Sequence, residues 1–402
     1  MSIWLDVVGI GEDGINGLSG SARLALRQAE VIIGGNRHHS LAPELGAERV
    51  LWPQPFSGMV PMVTGYRGRR TALLVTGDPL WFSAGARIAR ELPPHEVRFH
   101  PQISAFQLAC ARMRWSLADT ETLTVHGRPV EQIIPWMQPG ARLAVLTGGS
   151  AAPGELARLL CANGFGKSAM CVLGALGGKD ESRLEGLAAD WAERVGDKVP
   201  DFHTLCIECV ADHGAHPWPR GPGLPDAAFA TDGNFTKRDI RAVSVSMLAP
   251  RRGALLWDIG TGCGSIAVEW MRAAPDCRAI GIDSDAGRLS LARENAQKLG
   301  TPSLELIEGR VPEALCGLPV PDAVFIGGGL SIAVAETVME TLLPFGSLVA
   351  NAVTLESESI LAELHGTHGG ELVRLQASYA GRLGEVRGWR TLMPVTQWRF
   401  MK

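Results

Sequence analysis

A glycine-rich loop in the C-terminal half carries residues suited to binding a ligand that contains a nucleoside. The loop runs from Asp258 to Gly264, directly after an apolar segment and directly before a helical pattern. Glycines permit a tight turn and let backbone amides approach a ligand at the positive end of the helix. A dinucleotide fold uses this geometry with the spacing G-x-G-x-x-G, whereas the spacing here is G-x-G-x-G. The loop therefore predicts a nucleoside site, with a purely structural turn as the alternative.

Two carboxylates narrow the choice of ligand. Asp283 ends the next apolar run, where it would accept hydrogen bonds from ribose hydroxyls, a feature that NAD enzymes share. Asp258 opens the glycine loop, where it can face the cationic amino end of a methionine moiety instead of a phosphate. We therefore expect S-adenosylmethionine, a methyl donor, as the cofactor.

A second glycine loop lies near the N-terminus, at Gly9, Gly11 and Gly14. A lone G-x-G-x-x-G is a weak signal, and the next strand, residues 30–35, ends without a carboxylate for ribose. This absence disfavours a dinucleotide fold. Further loops follow predicted strands at residues 76–79, 101–105, 126–128 and 147–149.

The elements that must position these loops alternate between short β-branched runs and helical patterns, which predicts an α/β fold. In the N-terminal half the predicted strands are 5–10, 71–76, 96–100, 142–147, 169–174 and 204–210. Prolines and glycines then interrupt the pattern. We therefore predict one domain over residues 1–210, a linker over 211–230 and a second domain over 231–402.

The second domain is predicted to begin with a helix, because residues 236–239 have the spacing of a capping box headed by Thr236. Apolar runs follow at 254–257, 279–282, 304–307, 323–326 and 347–349. Helical patterns such as 286–299 separate these runs, which favours a mostly parallel sheet. Two further strands are expected at 372–379 and 391–400.

The overall composition limits which partners the protein can bind and in which cellular compartment we expect it. The chain has 402 residues, 46% hydrophobic residues and a formal net charge of -4. This slight acidity argues against binding nucleic acid mainly by phosphate neutralisation. Eight scattered cysteines, the lack of a signal-peptide pattern and the lack of a long apolar run indicate a reduced, cytoplasmic protein without a membrane segment.

From about Thr236 onward, the residues quoted above resemble class I S-adenosylmethionine-dependent methyltransferases, which have a Rossmann-like fold. In that family the segment after the third strand, here residues 308–314, lies over the adenine. Base and amide N-methyltransferases carry an Asn/Asp-Pro-Pro-aromatic motif after the fourth strand, where this chain has three glycines, Gly327 to Gly329. These glycines suit a bulky substrate, with a flexible turn as the alternative. Cofactor contacts are expected at Thr236, Asp258, Gly260, Thr261, Gly262, Cys263, Gly264, Asp283, Gly309, Arg310 and Val311.

Over roughly residues 3–210 the ordered loops resemble the tetrapyrrole methylases, or class III methyltransferases, which bind S-adenosylmethionine in a cleft between two α/β lobes. Their first loop usually reads G-x-G-Pro-Gly, whereas Glu12 and Asp13 replace Pro-Gly here, and Gln102 stands where glycine is common. The resemblance places Asp78 under the cofactor, with a turn acid as the alternative, and makes Ser104 a helix cap. Expected cofactor contacts are Gly9, Gly11, Gly14, Gly77, Asp78, Ser104 and Ala105.

The two domains together resemble the decarboxylating precorrin C5,15-methyltransferases of cobalamin biosynthesis. In that family the N-terminal domain methylates carbon 5, and the C-terminal domain methylates carbon 15 and removes carbon dioxide from an acetate side chain. Methyl transfer to carbon mainly requires alignment, so no catalytic acid or base is assigned. Because guanidinium binds carboxylate bidentately, candidate clamps for the substrate's carboxylates are Arg238, Arg310, Arg382, Arg387 and Arg390, with solvated surface arginines as the alternative.

Other polar groups carry weaker signals. Cys206 and Cys209 form a lone C-x-x-C without a second pair, so they are interpreted as buried thiols, and no metal is expected. Four histidines without a partner at ligand spacing are interpreted as ordinary polar residues: His38, His39, His213 and His216.

Several alternatives stay open. Relatives of the tetrapyrrole methylases modify RNA or protein, and a protein that binds the cofactor without turnover is a different class of answer. The substrate is expected to be a small tetrapyrrole, metal-free by resemblance, with a cobalt-containing precorrin as the alternative. We expect a homo-oligomer that binds neither nucleic acid nor membrane.

Overall fold

The computed structural model describes residues 3–43, 46–194 and 199–402. By its internal contacts the chain divides into two compact units. The first unit comprises Met1–Val130 and Met137–His216, and the second comprises Glu131–Trp136 and Pro217–Lys402. The bounds that the sequence predicts for the two domains and the linker stay a prediction.

The first unit begins with a parallel five-stranded sheet of order β3-β2-β4-β1-β5. Its strands are β1 Leu5–Ile10, β2 Val31–Gly34, β3 Glu48–Leu51, β4 Thr71–Thr76 and β5 Val97–His100. Its helices are α1 Gly20–Gln28, α2 Asn36–Leu41, α3 Met59–Thr64 and α4 Gly85–Glu91. Apolar side chains on both faces of β1 and β4 are buried, as expected of central parallel strands covered by helices.

A second, mixed sheet of order β6-β7-β10-β8-β9 completes the first unit. Only β6 and β7 are parallel, and the other pairs in this sheet are antiparallel. Its elements are α5 Ala105–Met113, β6 Glu121–Thr124, β7 Arg142–Leu146, α6 Ala152–Ala162, β8 Ala169–Gly174, β9 Ser182–Leu187, α7 Ala188–Glu193 and β10 His203–Glu208. The two-lobed α/β arrangement that the sequence predicts is therefore confirmed.

The second unit has a seven-stranded sheet of order β13-β12-β11-β14-β15-β19-β16, in which only β19 runs against its neighbours. The strands are β11 Leu255–Ile259, β12 Arg278–Asp283, β13 Glu305–Glu308, β14 Ala323–Ile326, β15 Ser347–Ala352, β16 Glu371–Leu375 and β19 Val395–Met401. The helices are α8 Arg238–Leu248, α9 Ser265–Ala273, α10 Ala286–Lys298, α11 Ile332–Thr341 and α12 Leu355–His368. Two apolar cores lie on opposite faces of this sheet, which confirms the predicted mostly parallel fold.

The prediction of two C-terminal strands is wrong in detail, because the segment forms four. The strands β17 Ser378–Leu383 and β18 Val386–Thr391 pair as a separate antiparallel hairpin. The turn between them contains Gly384 with a φ of +64°, which glycine adopts at little cost. Pro394 has no backbone amide to donate, and β19 begins directly after it.

The predicted capping box at Thr236 is also wrong. Helix α8 begins after Lys237, whose side chain makes no capping hydrogen bond. The backbone amide of Arg238 instead donates to Oδ1 of Asp226 at 2.9 Å. A carboxylate from an earlier part of the chain therefore replaces the local cap, a contact that residue spacing does not encode.

Part of the stretch predicted to be a linker packs into the second unit. Leu224, Ala228 and Phe229 are buried in one of its two cores. The backbone amides of Gly223 and Leu224 donate to the buried carboxylate of Glu269 at 2.7 Å and 2.9 Å. The chain is thus fixed to the second unit well before α8 begins.

In the part of the chain that the structure describes, no helix is both long enough and apolar enough to cross a membrane.

Candidate functional site

The second unit has a cavity of about 790 Å³ at the carboxyl ends of its parallel strands. It includes the point between β11 and β14 where the strand order reverses, which is where open α/β sheets bind ligands. The predicted cofactor residues that line it are Thr236, Asp258, Gly260, Thr261, Gly262, Asp283, Gly309, Arg310 and Val311. Cys263 and Gly264 are not among the lining residues. Those two stay predicted cofactor contacts; the Cys263 side chain is buried, and Gly264 is the N-cap residue of α9.

Glycines are required in the loop that joins β11 to α9. Gly260 has a φ of +69°, and a Cβ there would lie 2.5 Å from the backbone nitrogen of Gly328. Gly264 has a φ of +77°, and its Cβ would lie 3.0 Å from that of Ala292. The loop is therefore close-packed, and the backbone amides of Gly260, Thr261, Gly262 and Gly264 donate to acceptors within the protein.

Asp258 is a buried carboxylate whose hydrogen bonds satisfy only one of its two oxygens. Oδ2 accepts from the Thr261 hydroxyl at 2.7 Å and from the backbone amide of Ala267 at 3.1 Å. Oδ1 is buried without a hydrogen-bond partner. Burial raises the pKa of Asp258 to about 6. This side chain lines the cavity and lacks a counterion, so it suits a cationic group of a ligand.

Asp283 fixes the glycine loop from the neighbouring strand. Its Oδ2 accepts from the backbone amide of Gly262 at 2.9 Å, and its Oδ1 accepts from that of Asp285 at 3.0 Å. An ionised carboxylate has about four acceptor positions, so each oxygen can also accept a hydroxyl from a ligand in the cavity. The predicted contact with ribose is compatible with these bonds.

The segment after β13 forms another wall of the cavity. The backbone amide of Gly309 donates to the carbonyl oxygen of Asp283 at 2.9 Å, which fixes this segment beside the second carboxylate. A Cβ at Gly309 would lie 2.9 Å from that of Ala314, so the turn is close-packed. Arg310 and Val311 continue the same wall.

The remaining wall was not predicted from the sequence. It consists of Asn351 and Val353 at the end of β15 together with Leu392, Met393 and Val395 near the start of β19. Residues 233–237 and Arg288 also line the cavity. No spacing rule links β19 to β15, because an antiparallel strand inserted late in the chain leaves no local pattern.

The predicted arginine clamps lie in different places. Arg310 lines the cavity, whereas Arg238 is paired with Asp239 on the surface of α8. Three others are exposed on the β17–β18 hairpin and do not line the cavity: Arg382, Arg387 and Arg390. The structure therefore brings only one of the five to the site.

The first unit has a smaller cavity of about 30 Å³ beside its glycine loop. Gly11, Gly77 and Ala105 line it, whereas four other predicted contacts do not: Gly9, Gly14, Asp78 and Ser104. Gly9 has an indirect role, because a Cβ there would overlap the carbonyl oxygen of Gly77. Absence of a side chain at Gly9 thus lets the two loops approach each other.

Asp78 and Ser104 both organise backbone. Oδ1 of Asp78 accepts from the backbone amide of Leu80 at 2.8 Å, the contact of a turn acid. Ser104 caps α5, where its hydroxyl accepts from the amide of Gln107 and the Gln107 side chain accepts from the amide of Ser104. The predicted helix cap is confirmed.

Arg37 is the main residue of this cavity that sequence reasoning missed. It forms an ion pair with Glu12, lies 3.8 Å from the ring centroid of Phe202, and donates to the Thr76 hydroxyl at 2.7 Å. Burial lowers the pKa of Arg37 to about 10 and that of the adjacent His38 to about 4. Arg37 therefore stays charged and His38 stays neutral near pH 7. No motif marked either residue.

Cys206 and Cys209 are buried free thiols, as predicted. Burial raises the pKa of both, that of Cys209 to about 12. Both are therefore uncharged thiols near pH 7, the unreactive form.

Comparison with known proteins matches both halves. Residues 5–192 match the family described as tetrapyrrole (corrin/porphyrin) methylases, and residues 227–402 match the family described as precorrin methyltransferase domain. A solved structure, the C-terminal domain of precorrin-6Y C5,15-methyltransferase from Rhodobacter capsulatus, is 46% identical. It covers 46% of this chain and 100% of its own, with a TM-score of 0.44.

Two curated relatives match the whole length. Precorrin-6Y C(5,15)-methyltransferase (decarboxylating) from Sinorhizobium sp is 43% identical over 100% of this chain and 97% of its own. The protein of the same name from Mycobacterium tuberculosis is 39% identical over 98% of this chain and 99% of its own. Because similarity at this level extends over both units, the chain belongs to the family of decarboxylating precorrin-6Y C(5,15)-methyltransferases.

Proposed function

We propose that this protein transfers methyl groups from S-adenosylmethionine to carbons 5 and 15 of precorrin-6Y. It also removes the carboxyl group of the C12 acetate side chain as carbon dioxide, which gives precorrin-8X. The observation that carries the proposal is the cavity of the second unit, which has an uncompensated buried carboxylate, Asp258, on one wall and apolar side chains on another. The full-length relatives of this name support the choice of substrate.

The residues of the cavity fit S-adenosylmethionine. Asp258 can pair with its ammonium group, Asp283 with its ribose, and the turn from Gly309 to Val311 with its adenine. The fit rests on the buried Oδ1 of Asp258, which lacks a partner, and on a glycine loop that a Cβ at Gly260 would disrupt. When bound, this cofactor supplies an electrophilic methyl group.

The contribution of the protein is mainly positioning. The cavity of about 790 Å³ lies within the usual size range of small-molecule and cofactor sites. Holding a carbon nucleophile in line with the methyl group can contribute as much as about 7–11 kcal/mol without an acid, a base or a metal. The electron pair released by decarboxylation passes into the conjugated macrocycle, and a solvent proton completes the methyl group that remains.

The two activities are divided between the units. We assign carbon 15 and decarboxylation to the second unit and carbon 5 to the first. Single-activity relatives support this division. A probable cobalt-precorrin-6B C(15)-methyltransferase (decarboxylating) from Pyrobaculum calidifontis is 35% identical over 44% of this chain. A cobalt-precorrin-7 C(5)-methyltransferase from Salmonella typhimurium is 30% identical over 42% of it.

The test incubates the full-length protein with precorrin-6Y and labelled S-adenosylmethionine, then measures methyl incorporation, mass change and released carbon dioxide. We expect two methyl groups gained and one carbon dioxide lost per macrocycle. Parallel incubations with cobalt-precorrin, ribosomal RNA and a protein extract distinguish the other substrates. Absence of both methylation and carbon dioxide from the precorrin-6Y sample would contradict the proposal.

A further inference from the structure

Three polar side chains form a hydrogen-bonded network behind the unpredicted wall of the second cavity. Ser244 lies on α8, Asn351 on β15 and Gln397 on β19, and the last two are cross-strand partners. Oγ of Ser244 accepts from Asn351 Nδ2 at 3.1 Å and from Gln397 Nε2 at 2.9 Å. Gln397 Nε2 also donates to Asn351 Oδ1 at 2.8 Å. Ser244 and Gln397 are almost fully buried, whereas Asn351 is partly exposed.

The bonds of Ser244 fix which amide atoms point where. Its hydroxyl donates to the carbonyl oxygen of Ile240 at 2.9 Å, so its only proton is used. Both amide groups facing Ser244 must therefore donate to it. This requirement directs Nδ2 of Asn351 and Nε2 of Gln397 toward the serine. Because Gln397 Nε2 also donates to Asn351 Oδ1, both of its protons are used. Asn351 keeps one amide proton outside the network, on the side chain that lines the cavity.

Asn351 is chemically distinct within its part of the cavity. Among the described residues that β14 and later elements contribute to the lining, it alone has a polar side chain. The others are Phe325, Gly327, Gly328, Gly329, Val353, Leu392, Met393 and Val395. The predicted cofactor residues come from β11, β12, β13 and residues before α8. Asn351 therefore lies on the part of the cavity that the cofactor residues leave open.

The network is not explained by stability alone. Oε1 of Gln397 is buried and has no hydrogen-bond partner, an arrangement that lowers stability relative to an apolar side chain of similar shape. Gln397 instead orients the side chain of Asn351. Its amide donates to Asn351 Oδ1 and leaves the free amide proton of Asn351 directed away from the network.

We propose that Asn351 is a substrate-contacting residue of the second unit, whose free amide proton is donated to a carboxylate oxygen of the macrocycle's side chains. This inference rests on the proposed function and extends it. Ser244 and Gln397 are positioning residues that act through Asn351.

The primary test compares Asn351→Ala and Asn351→Asp with the wild type in the full-length protein. With precorrin-6Y and S-adenosylmethionine, Asn351→Ala should lower kcat/KM for carbon dioxide release by roughly tenfold or more, mainly through KM. Asn351→Asp has the same shape but places a negative charge beside a carboxylate, so it should lower kcat/KM further. Methylation by the first unit should stay within about twofold, and so should the affinity of the second unit for S-adenosylmethionine, which verifies that the second unit is folded.

A second comparison tests positioning. Gln397→Met removes the unpartnered oxygen and should leave the melting temperature unchanged or higher, yet lower kcat/KM because Asn351 loses its orientation. In the double variant with Asn351→Ala, the loss should equal that of Asn351→Ala alone, since both changes act through one contact. Ser244→Ala removes the oxygen that accepts from both amides and should also lower kcat/KM for carbon dioxide release. Ser246→Ala, on the exposed face of the same helix, is the matched control and should not.

Three results would overturn the inference while leaving the proposed function standing: wild-type kcat/KM in Asn351→Ala, higher activity in Asn351→Asp than in Asn351→Ala, or losses that add in the double variant. If Asn351→Ala lowered the affinity for S-adenosylmethionine as much as it lowered kcat/KM, Asn351 would contact the cofactor and not the substrate, and the inference would be wrong. A wild-type protein that neither methylates precorrin-6Y nor releases carbon dioxide would instead remove the proposed function, and the inference with it.

Discussion

At the scale of single residues, the second site depends on two carboxylates with different surroundings. Asp283 has both oxygens occupied by backbone amides of the loops that it joins. Asp258 is buried deeper and keeps one oxygen without a partner, so burial raises its pKa to about 6. The protein thus supplies partners to both oxygens of Asp283, whereas Oδ1 of Asp258 would gain a partner only from the proposed ligand.

This difference predicts a pH dependence of cofactor binding to the second unit. Below about pH 6 Asp258 holds a proton in the free protein, and an ammonium group can pair with it only after that proton leaves. The affinity for S-adenosylmethionine should therefore rise by about tenfold between pH 5 and pH 7. Isothermal calorimetry at several pH values measures it. Asp258→Asn is the control, expected to bind weakly at every pH, and a flat wild-type profile would contradict the assignment.

Residues of the site differ in how well the sequence predicts them. Asp258 and the glycines are adjacent in the chain, and Asp283 ends the very next strand, so local spacing was sufficient. Asn351 depends on Ser244 and Gln397, which are brought to it from other elements by tertiary packing. Arg37 likewise depends on Phe202, which lies on the other lobe of the first unit. No spacing rule applies to such contacts.

At the scale of elements, α8 holds in place the segment that precedes it. Arg241 is fully buried in this helix and donates to Glu269 Oε1 at 2.7 Å and to the carbonyl oxygen of Thr236 at 2.6 Å. It also contacts Asp226 and the carbonyl oxygen of Leu224. The Arg241 guanidinium therefore fixes two stretches of the chain. One, at Leu224, packs into a core of the second unit, and the other, at Thr236, lines the cavity of that unit.

Arg241→Ala should lower the free energy of unfolding of the second unit by about 3–5 kcal/mol, because Glu269 would remain buried without its partner. Cofactor affinity should fall as well, since residues 233–237 lose their anchor. Urea unfolding and calorimetry measure the two effects. Arg238→Ala, an exposed arginine of the same helix, should change stability by no more than about 0.5 kcal/mol. Equal stability of the two variants would show that the ion pair contributes little.

Buried strands with apolar runs were predicted, as were the edge strands β5, β13 and β16, whereas three other edge strands were not. Strands β1, β4, β8 and β10 are buried nearly throughout, and their β-branched runs were recognised. Strands β3, β6 and β9 lie at sheet edges and are partly exposed, so they lack a continuous apolar pattern and were missed. The β17–β18 hairpin was missed for the same reason, because its strand β18 is mostly exposed.

At the scale of the whole molecule, the two units have separate glycine loops and separate cavities. The proposed division of labour predicts that each can be inactivated alone. Gly9→Ala places a Cβ against the carbonyl oxygen of Gly77 and displaces the first loop. We expect methylation at carbon 5 to fall by about a hundredfold or more, with carbon dioxide release retained.

Mass spectrometry counts the methyl groups gained, NMR of product made with ¹³C-methyl-labelled cofactor distinguishes carbon 5 from carbon 15, and trapping of labelled carbon dioxide follows the second unit. Gly20→Ala, at a glycine where an added Cβ meets open space, is the matched control and should retain both activities. Loss of carbon dioxide release in Gly9→Ala together with the carbon 5 methylation would contradict independent sites.

The antiparallel strand β19 has a consequence for biosynthesis. It follows β16 in the chain, yet it lies between β15 and β16 in the sheet. A nascent chain emerging from the ribosome therefore holds the edge of β15 unpaired until residues 395–401 have been translated. A polypeptide whose translation stops before Val395 would have the complete glycine loop but an unpaired edge at β15. Such edges promote aggregation. Pairing of β19 with β15 therefore covers a sheet edge that would otherwise be open to other strands.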